Sequence, residues 1–211
     1  MTEPRSPFVQ EKFIDVETCK KIISIAEASP HFYANKEPKR HEVALDKLGK
    51  NAHDLLIPIL RKAQGLVMEH FDEDSTLHHL DHSTISRVQP GGHVEYHADN
   101  VMPLGFSWQP NHTAWRTYSS MLYLSECHGG HLRLPYRNVE FSIEPGKLVG
   151  FPSSAEYFHG VEPVIAGVRW AVLIWFTKSD QYDLQKRLKM ERVLVPNKFT
   201  KKEEQNAANP M

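Results

Sequence analysis

Apolar positions along the chain follow two different periods. In VETCKKIISIAEA, residues 16–28, Val16, Cys19, Ile22, Ile23 and Ala26 recur at the three- and four-residue spacing that gathers them on one side of a helix. Asp15 stands where a side-chain cap is wanted, and Ser29-Pro30 supplies the stop. A second helix is predicted over AHDLLIPILRKAQGLVMEHF, with Asn51 as its cap and Leu56, Leu60, Ala63, Val67 and Phe71 along one side. Pro58 inside it predicts a kink, or a start nearer Leu56. The polar stretch between the two, NKEPKRHEVALDKLGK, reads as loop with short structure.

From about residue 83 the period becomes two. STISRV, HVEYHAD, TYSSMLYL, HLRL, VEFSI, KLVGF and VRWAVLIWF are short runs rich in β-branched and aromatic residues, parted by glycine- and proline-containing turns. Six to eight such strands predict a sandwich or barrel and not a βαβ sheet. Helices first and strands after make the fold class α+β, mostly a β core with N-terminal helices packed on one sheet. The expected organisation is one domain over 1–200, with 1–80 mainly helical support and 83–178 the core, and a flexible polar tail at 201–211. Residues 101–115 (VMPLGFSWQPNHTAW) are expected to be a long irregular insertion of the kind used as a lid or binding loop.

Composition narrows function mainly by exclusion. Hydrophobic residues make up 40%, charged residues 24%, and the net charge is −1, so nothing marks a nucleic-acid or anionic-membrane partner. The opening MTEPRSPFVQEK has no apolar leader and no stretch has the length of a membrane span, which leads us to expect a cytoplasmic protein. Two cysteines, Cys19 and Cys127, are too few for a disulfide framework or a thiolate metal site.

Thirteen histidines change the picture, because imidazole is the commonest metal ligand. His97-Ala98-Asp99 sits where a strand pattern meets a loop, and residues i and i+2 of a strand share a face. With a distant second histidine, His159, this makes a two-histidine, one-carboxylate set that leaves three positions open on Fe(II). A rival of the same form exists in His79-Leu80-Asp81; it is read, with His78 and His82, as surface or packing. Downstream, Arg169 opens the apolar strand RWAVLIWF and shares a face with Ala171, Leu173 and Trp175. A guanidinium there must find an anion or reach solvent. A dicarboxylic cosubstrate would suit it, and a local acid such as Glu162 is the alternative.

The order HADN, RTYSSMLYLSE, GGHLRL, SIEPGKLVGFPSS and FHGVEPVIAGVRWAVLIWFT resembles the prolyl hydroxylase branch of the 2-oxoglutarate/Fe(II) oxygenases, and most of all the catalytic domain of leprecan-type prolyl 3-hydroxylases. The likeness runs from about Ile85 to Lys178. It implies a double-stranded β-helix of the jelly-roll or cupin-like kind. It implies Fe(II), 2-oxoglutarate and O2 as cofactors, with ascorbate as an optional reductant, and hydroxylation of an unactivated C–H with release of succinate and CO2.

By the same resemblance His97, Asp99 and His159 match the metal ligands, and Arg169 matches the grip on the distal carboxylate of 2-oxoglutarate. Tyr123 matches a hydroxyl on that carboxylate, Leu132 and Trp175 the walls of the cosubstrate pocket, and Arg116 a place near the substrate entrance. Related halogenases carry a small residue in place of the carboxylate, so Asp99 argues for oxygen transfer. A prolyl residue in a peptide or protein is the substrate the family implies. A free amino acid or natural-product intermediate, undergoing hydroxylation, desaturation or cyclisation, is the alternative. A non-catalytic cupin-like module that binds a metal or small ligand is the reading from a different class.

Overall fold

A computed structural model describes residues 4–34 and 39–194, with backbone only for 191–194; the tail expected at 201–211 lies outside the described residues. The chain begins β1 (Phe8–Gln10), α1 (Val16–Glu27), β2 (Tyr33–Ala34), β3 (Arg40–Ala44), α2 (Lys50–His70), β4 (His79–Val88) and β5 (Val94–His97). It continues β6 (Val101–Leu104), β7 (Ser107–Pro110), β8 (Arg116–Tyr123), β9 (Cys127–Gly129), β10 (Leu132–Leu134) and β11 (Val139–Phe141). The last elements are β12 (Leu148–Pro152), β13 (His159–Val161), β14 (Val164–Gly167), β15 (Arg169–Thr177) and α3 (Leu184–Leu194).

The strands form a seven-stranded sheet in the order β1-β12-β8-β15-β4-β3-β2, facing a four-stranded sheet in the order β11-β10-β13-β5. Two small pairs, β14-β9 and β6-β7, stand apart. The alternation in β15 sorts the core into two layers. Trp170, Val172, Ile174 and Phe176 point to the helices, where they meet Ile22, Leu56, Leu60 and Val67. Ala171 and Leu173 point the other way, into the space between the sheets, with Tyr123, Leu132, Phe141, Phe151 and Val161. The expected α+β arrangement, helices on one sheet of a jelly roll, is therefore the fold observed.

Asp15 caps α1, its Oδ1 accepting from the Thr18 amide at 2.7 Å. The second helix departs from expectation. It starts at Lys50 behind Gly49, with no side-chain cap, so Asn51 lies inside its first turn, and it runs through Pro58 without ending. Pro58 is on the exposed side, and Ala52, Leu56, Leu60, Ala63 and Val67 are buried on the other. Interior proline costs about 3 kcal/mol. Burial of a single large apolar side chain returns roughly 1.5–3 kcal/mol, so the buried stripe outweighs the defect.

Two short strands add to the sequence reading, and the expectation for the segment after Asn100 is corrected. The polar stretch around residues 35–50 contains β3, which pairs with β4 along Arg40↔Val88 to Ala44↔Thr84. A strand that lies near a sheet edge and leaves one side wet does not need an apolar run. The N-terminal segment adds β1 beside β12. Residues 101–110 are not irregular: β6 and β7 form a hairpin from Val101↔Pro110 to Leu104↔Ser107 around Gly105, whose φ is +59°, and only 111–115 remain turn.

One turn deserves a stability test. Gly146 has φ +84°, donates its amide to the Tyr123 carbonyl (2.9 Å) and accepts from the Phe13 amide (2.8 Å). A Cβ there would come 2.1 Å from the Ile14 carbonyl oxygen. Gly146→Ala is expected to cost about 3 kcal/mol, from positive-φ strain plus displaced backbone. The urea midpoint checks it; an unchanged midpoint would refute the close approach.

Candidate active site and metal centre

β5 and β13 are neighbours in the four-stranded sheet, and the ladder places His97 opposite His159. Their rings lie 4.5 Å apart between centroids, both facing the space between the sheets. Asp99, just past the end of β5, brings its carboxylate to the same point. His97 Nε2 is 3.7 Å from Asp99 Oδ1, and His159 Nε2 is 3.6 Å from Asp99 Oδ2. Each imidazole is oriented by its other nitrogen: His97 Nδ1 donates to the Glu95 carbonyl at 2.8 Å and His159 Nδ1 to the Tyr157 carbonyl at 2.9 Å. Both Nε2 atoms then keep a lone pair aimed inward. The three candidate ligand atoms all lie within 4.8 Å of one another. Two nitrogens, one oxygen and no thiolate form a donor set that suits Fe(II).

The local electrostatics favour a cation. Burial works against the ionised form of Asp99, but the contact and charge of His97 and the Ser119 hydroxyl outweigh it and hold the carboxyl well below its usual range. Burial also pushes His159 down to about 4, so at neutral pH it is a free base. For His97, Asp99 overcomes the burial penalty and raises the pKa.

Two cavities meet at the triad. The inner one, about 530 Å³ with the open space at its mouth, runs between the sheets from His97, Asp99 and His159 to Arg169, with Leu173 and Trp175 among its walls. Arg169 is 1% exposed. Its Nε donates to the Gly130 carbonyl at 3.0 Å, and Nη2 lies 2.6 Å from the Met121 thioether, a weak acceptor. No carboxylate pairs with it among the described residues. Glu162, the local alternative, instead takes the Tyr96 hydroxyl and lies 3.8 Å from Arg133. The Arg169 guanidinium sits 5.3 Å from the centre of the Tyr123 ring, and the Tyr123 hydroxyl is buried without a hydrogen-bond partner. Burial pushes that hydroxyl up to about 12, which keeps it a neutral donor. A buried cation and an orphaned donor side by side are the complement of a carboxylate, so the residues present fit 2-oxoglutarate as well as iron.

The remaining expected residues are distributed differently. Leu132 is buried in the apolar layer between the sheets and is not among the residues lining the inner cavity. Arg116 borders the outer cavity with His97, Asp99, Met102 and Trp175. Its Nε donates to Asp81 at 3.1 Å and its guanidinium lies 3.9 Å above Trp175. The rival pair fails for structural reasons. β4 begins at His79, so His79 and Asp81 lie inside the strand-rich region. The ladder steps from Ile174↔Ser83 to Phe176↔Leu80, three residues against two, and this bulge breaks the shared face. Asp81 is consumed by Arg116, by Trp115 Nε1 at 3.1 Å and by Arg187 at 3.7 Å, and His79 pairs with Asp183. His78 is buried and His82 stacks on Trp175, so both pack.

Two residues were not anticipated. The Ser119 hydroxyl donates to Asp99 Oδ2 at 2.6 Å and lies 2.7 Å from the Ser153 hydroxyl. The face of Ser119 was legible, since it lies two and four residues before Met121 and Tyr123, but its partner is fixed only by the β12–β8 pairing. Ser119 thus holds one oxygen of Asp99, while the other, Oδ1, lies 3.7 Å from His97 Nε2 and 3.9 Å from Arg116 Nη1. Ser119→Ala is expected to weaken Mn(II) or Co(II) binding about tenfold or more, the range for partners of a ligand. An unchanged binding isotherm would show that the hydroxyl does not orient Asp99.

The model of the 2OG-Fe(II) oxygenase superfamily matches residues 83–177. Prolyl 3-hydroxylase 2 of Gallus gallus is 30% identical over 159 residues, 67% of this chain, and the chain spans only 23% of that protein. Among solved structures, the 2-oxoglutarate complex of the viral collagen prolyl hydroxylase vCPH from Paramecium Bursaria Chlorella virus-1 aligns with a TM-score of 0.62 and 15% identity, over 82% of this chain and 96% of that one. HygX from Streptomyces hygroscopicus, with nickel and 2-oxoglutarate bound, aligns at 0.61 and 10%, over 81% and 82%. At these identities the likeness is one of fold, the double-stranded β-helix. No helix of the described residues is long and apolar enough to cross a membrane. Residues 83–177 thus form a 2-oxoglutarate/Fe(II) oxygenase domain, and the chain is prolyl hydroxylase-like.

Proposed function

We propose that this chain is an Fe(II)- and 2-oxoglutarate-dependent dioxygenase that hydroxylates a prolyl residue of a peptide or protein. The observation that carries the proposal is the inner cavity, with the convergent His97–Asp99–His159 set at one end and an acid-free Arg169 at the other; the Tyr123 ring lies 5.3 Å from that guanidinium and its hydroxyl is buried without a partner. When bound, iron would activate O2 and 2-oxoglutarate would be oxidised with it: one oxygen atom would enter succinate as CO2 leaves, and the other a substrate C–H, giving C–OH.

The protein's own residues bind, orient and exclude water. His97 and His159 offer Nε2, and Asp99 offers the oxygen not held by Ser119. Arg169 binds the distal carboxylate of the cosubstrate and Tyr123 donates to it. Met121, Phe151 and Leu173 keep the space between the two ends apolar, which strengthens the guanidinium–carboxylate attraction. Arg116, held from behind by Asp81 and stacked on Trp175, sits in the outer cavity where substrate enters. The prolyl preference rests on the prolyl hydroxylase relatives.

Incubation with Fe(II), 2-oxoglutarate and O2, against a peptide pool and separately a small-molecule pool, tests both levels by mass spectrometry. One added oxygen on a prolyl residue is expected in the peptide pool. Oxygen incorporated only into free amino acids or other small molecules would overturn the peptide assignment. Absence of iron-dependent succinate would overturn the oxygenase assignment.

A further inference from the structure

Arg116 stands between two carboxylates. Its Nε donates to Asp81 Oδ2 at 3.1 Å, and its Nη1 lies 3.9 Å from Asp99 Oδ1. The second distance is close to that of His97 Nε2 from the same oxygen, 3.7 Å. Ser119 holds the other oxygen of Asp99, so two cations can compete for Oδ1: a metal ion between the imidazoles and the guanidinium of Arg116. The side chains of Arg116, Asp81 and Asp99 are 12%, 2% and 6% exposed, so little water screens that competition.

Asp81 is fixed from several directions. Trp115 Nε1 donates to the same Oδ2 at 3.1 Å, and the Trp115 ring stacks on Tyr182 at 3.9 Å and 6°. Arg187 of α3 approaches Oδ1 at 3.7 Å. The bulge in β4 sets the direction of the side chain. Asp81 and His82 together fall opposite Trp175, between the Ile174↔Ser83 and Phe176↔Leu80 pairs, and such a step re-aims the side chains it contains. His82 stacks on the Trp175 ring, and Asp81 reaches the guanidinium that lies 3.9 Å from the same ring. The contacts that fix Asp81 come from the start of β8 and from the C-terminal segment, neither of which carries one of the three candidate ligands.

We propose that Asp81 is a positioning residue that holds Arg116 off Asp99 and so keeps the triad open to a metal ion. The inference rests on the metal reading above. Without the Asp81 charge, a largely buried guanidinium has to find another anion or reach solvent. The nearest anion is Asp99, and a shift of roughly 1 Å brings Nη1 to hydrogen-bond distance of Oδ1. A charge-assisted bond of that kind is strong, and it would have to break before a metal could use the oxygen. Asp81 acts only through Arg116, which gives the idea a signature. Removing Arg116 must cancel the harm done by neutralising Asp81. An acid that served only to support the fold would give the opposite result, because a second truncation beside the first would leave the site no better.

Titration of the metal-free protein with Co(II), and separately with Mn(II), tests this. Asp81→Asn keeps the shape and an acceptor oxygen and loses the charge. It is expected to weaken Co(II) binding about tenfold or more, the range for groups that orient a ligand. Arg116→Ala should bind Co(II) at least as tightly as the parent. The double variant, Asp81→Asn with Arg116→Ala, should return to within about threefold of the parent. Trp115→Phe keeps a ring against Tyr182 and drops the bond to Asp81, so it should act in the same direction and by less. It carries the test if Asp81→Asn does not fold, which thermal unfolding of the metal-free variants shows. Unchanged Co(II) affinity in Asp81→Asn, or in Trp115→Phe where only that variant folds, would overturn the proposal. So would a double variant that binds no better than Asp81→Asn, or an Arg116→Ala that binds more weakly than the parent. A parent that binds neither metal would overturn the metal reading beneath it, which keeps the two failures apart.

Discussion

Replacing His159 by alanine is expected to abolish iron-dependent succinate formation while leaving the fold intact. His159 supplies one of three inward donors, and it is neutral, its pKa pushed down to about 4 by burial, so its removal leaves no ionic partner unpaired. What it leaves is a small gap beside Phe151, 4.8 Å away between ring centroids, and an Asp99 still held by Ser119. The loss in divalent-metal affinity should exceed the roughly ten- to hundredfold typical of residues that only support a ligand. Metal titration followed by succinate analysis checks both parts, with thermal unfolding as the control for folding. Turnover at the wild-type rate in His159→Ala would remove the basis for the whole assignment.

The second large effect is expected at Arg169, and it has two opposite signs. Without cosubstrate, a guanidinium 1% exposed and lacking an acid is a cost to the fold. Arg169→Met should therefore leave the metal-free protein as stable as the parent or more so. With cosubstrate the sign reverses. Removing one partner of a buried charged pair costs about 2–5 kcal/mol, so the KM for 2-oxoglutarate should rise at least roughly thirtyfold. The parent should gain thermal stability on adding 2-oxoglutarate with metal, and the variant should not. Tyr123→Phe, which removes only the neutral hydroxyl, should raise the same KM by about tenfold or less. If Arg169→Met destabilised the metal-free protein by several kcal/mol and kept its KM, Arg169 would be a structural residue with no part in binding.

Much of this protein was legible in one dimension. The period-two run of β15 assigns each side chain from Arg169 to Thr177 to a face, and Arg169, Leu173 and Trp175 do border one cavity. The cap at Asp15 and the stripe on α2 follow equally local rules. His97, Asp99, His159 and Arg169 could be named because residue type and order carry them, and all four border the inner cavity; Tyr123, which only the resemblance suggested, is buried beside Arg169 but is not among the residues lining that cavity.

What stayed hidden depended on pairing between distant segments. β1 and β3 are short strands held by their neighbours, so their own residues give a weak signal. The hairpin at 101–110 is closed by a turn at Gly105 and not by an apolar pattern. His79-Leu80-Asp81 and His97-Ala98-Asp99 are the same motif in sequence. Only the bulge in β4 and the arginines arriving from β8 and α3 take Asp81 out of contention. Ser119 and Ser153 meet because β8 and β12 are adjacent. Residue chemistry and local period were thus set by the sequence itself. Which like groups became neighbours, and which were neutralised by others, was decided by strand register in the folded chain, since charge and hydrogen bonding act through distance in space.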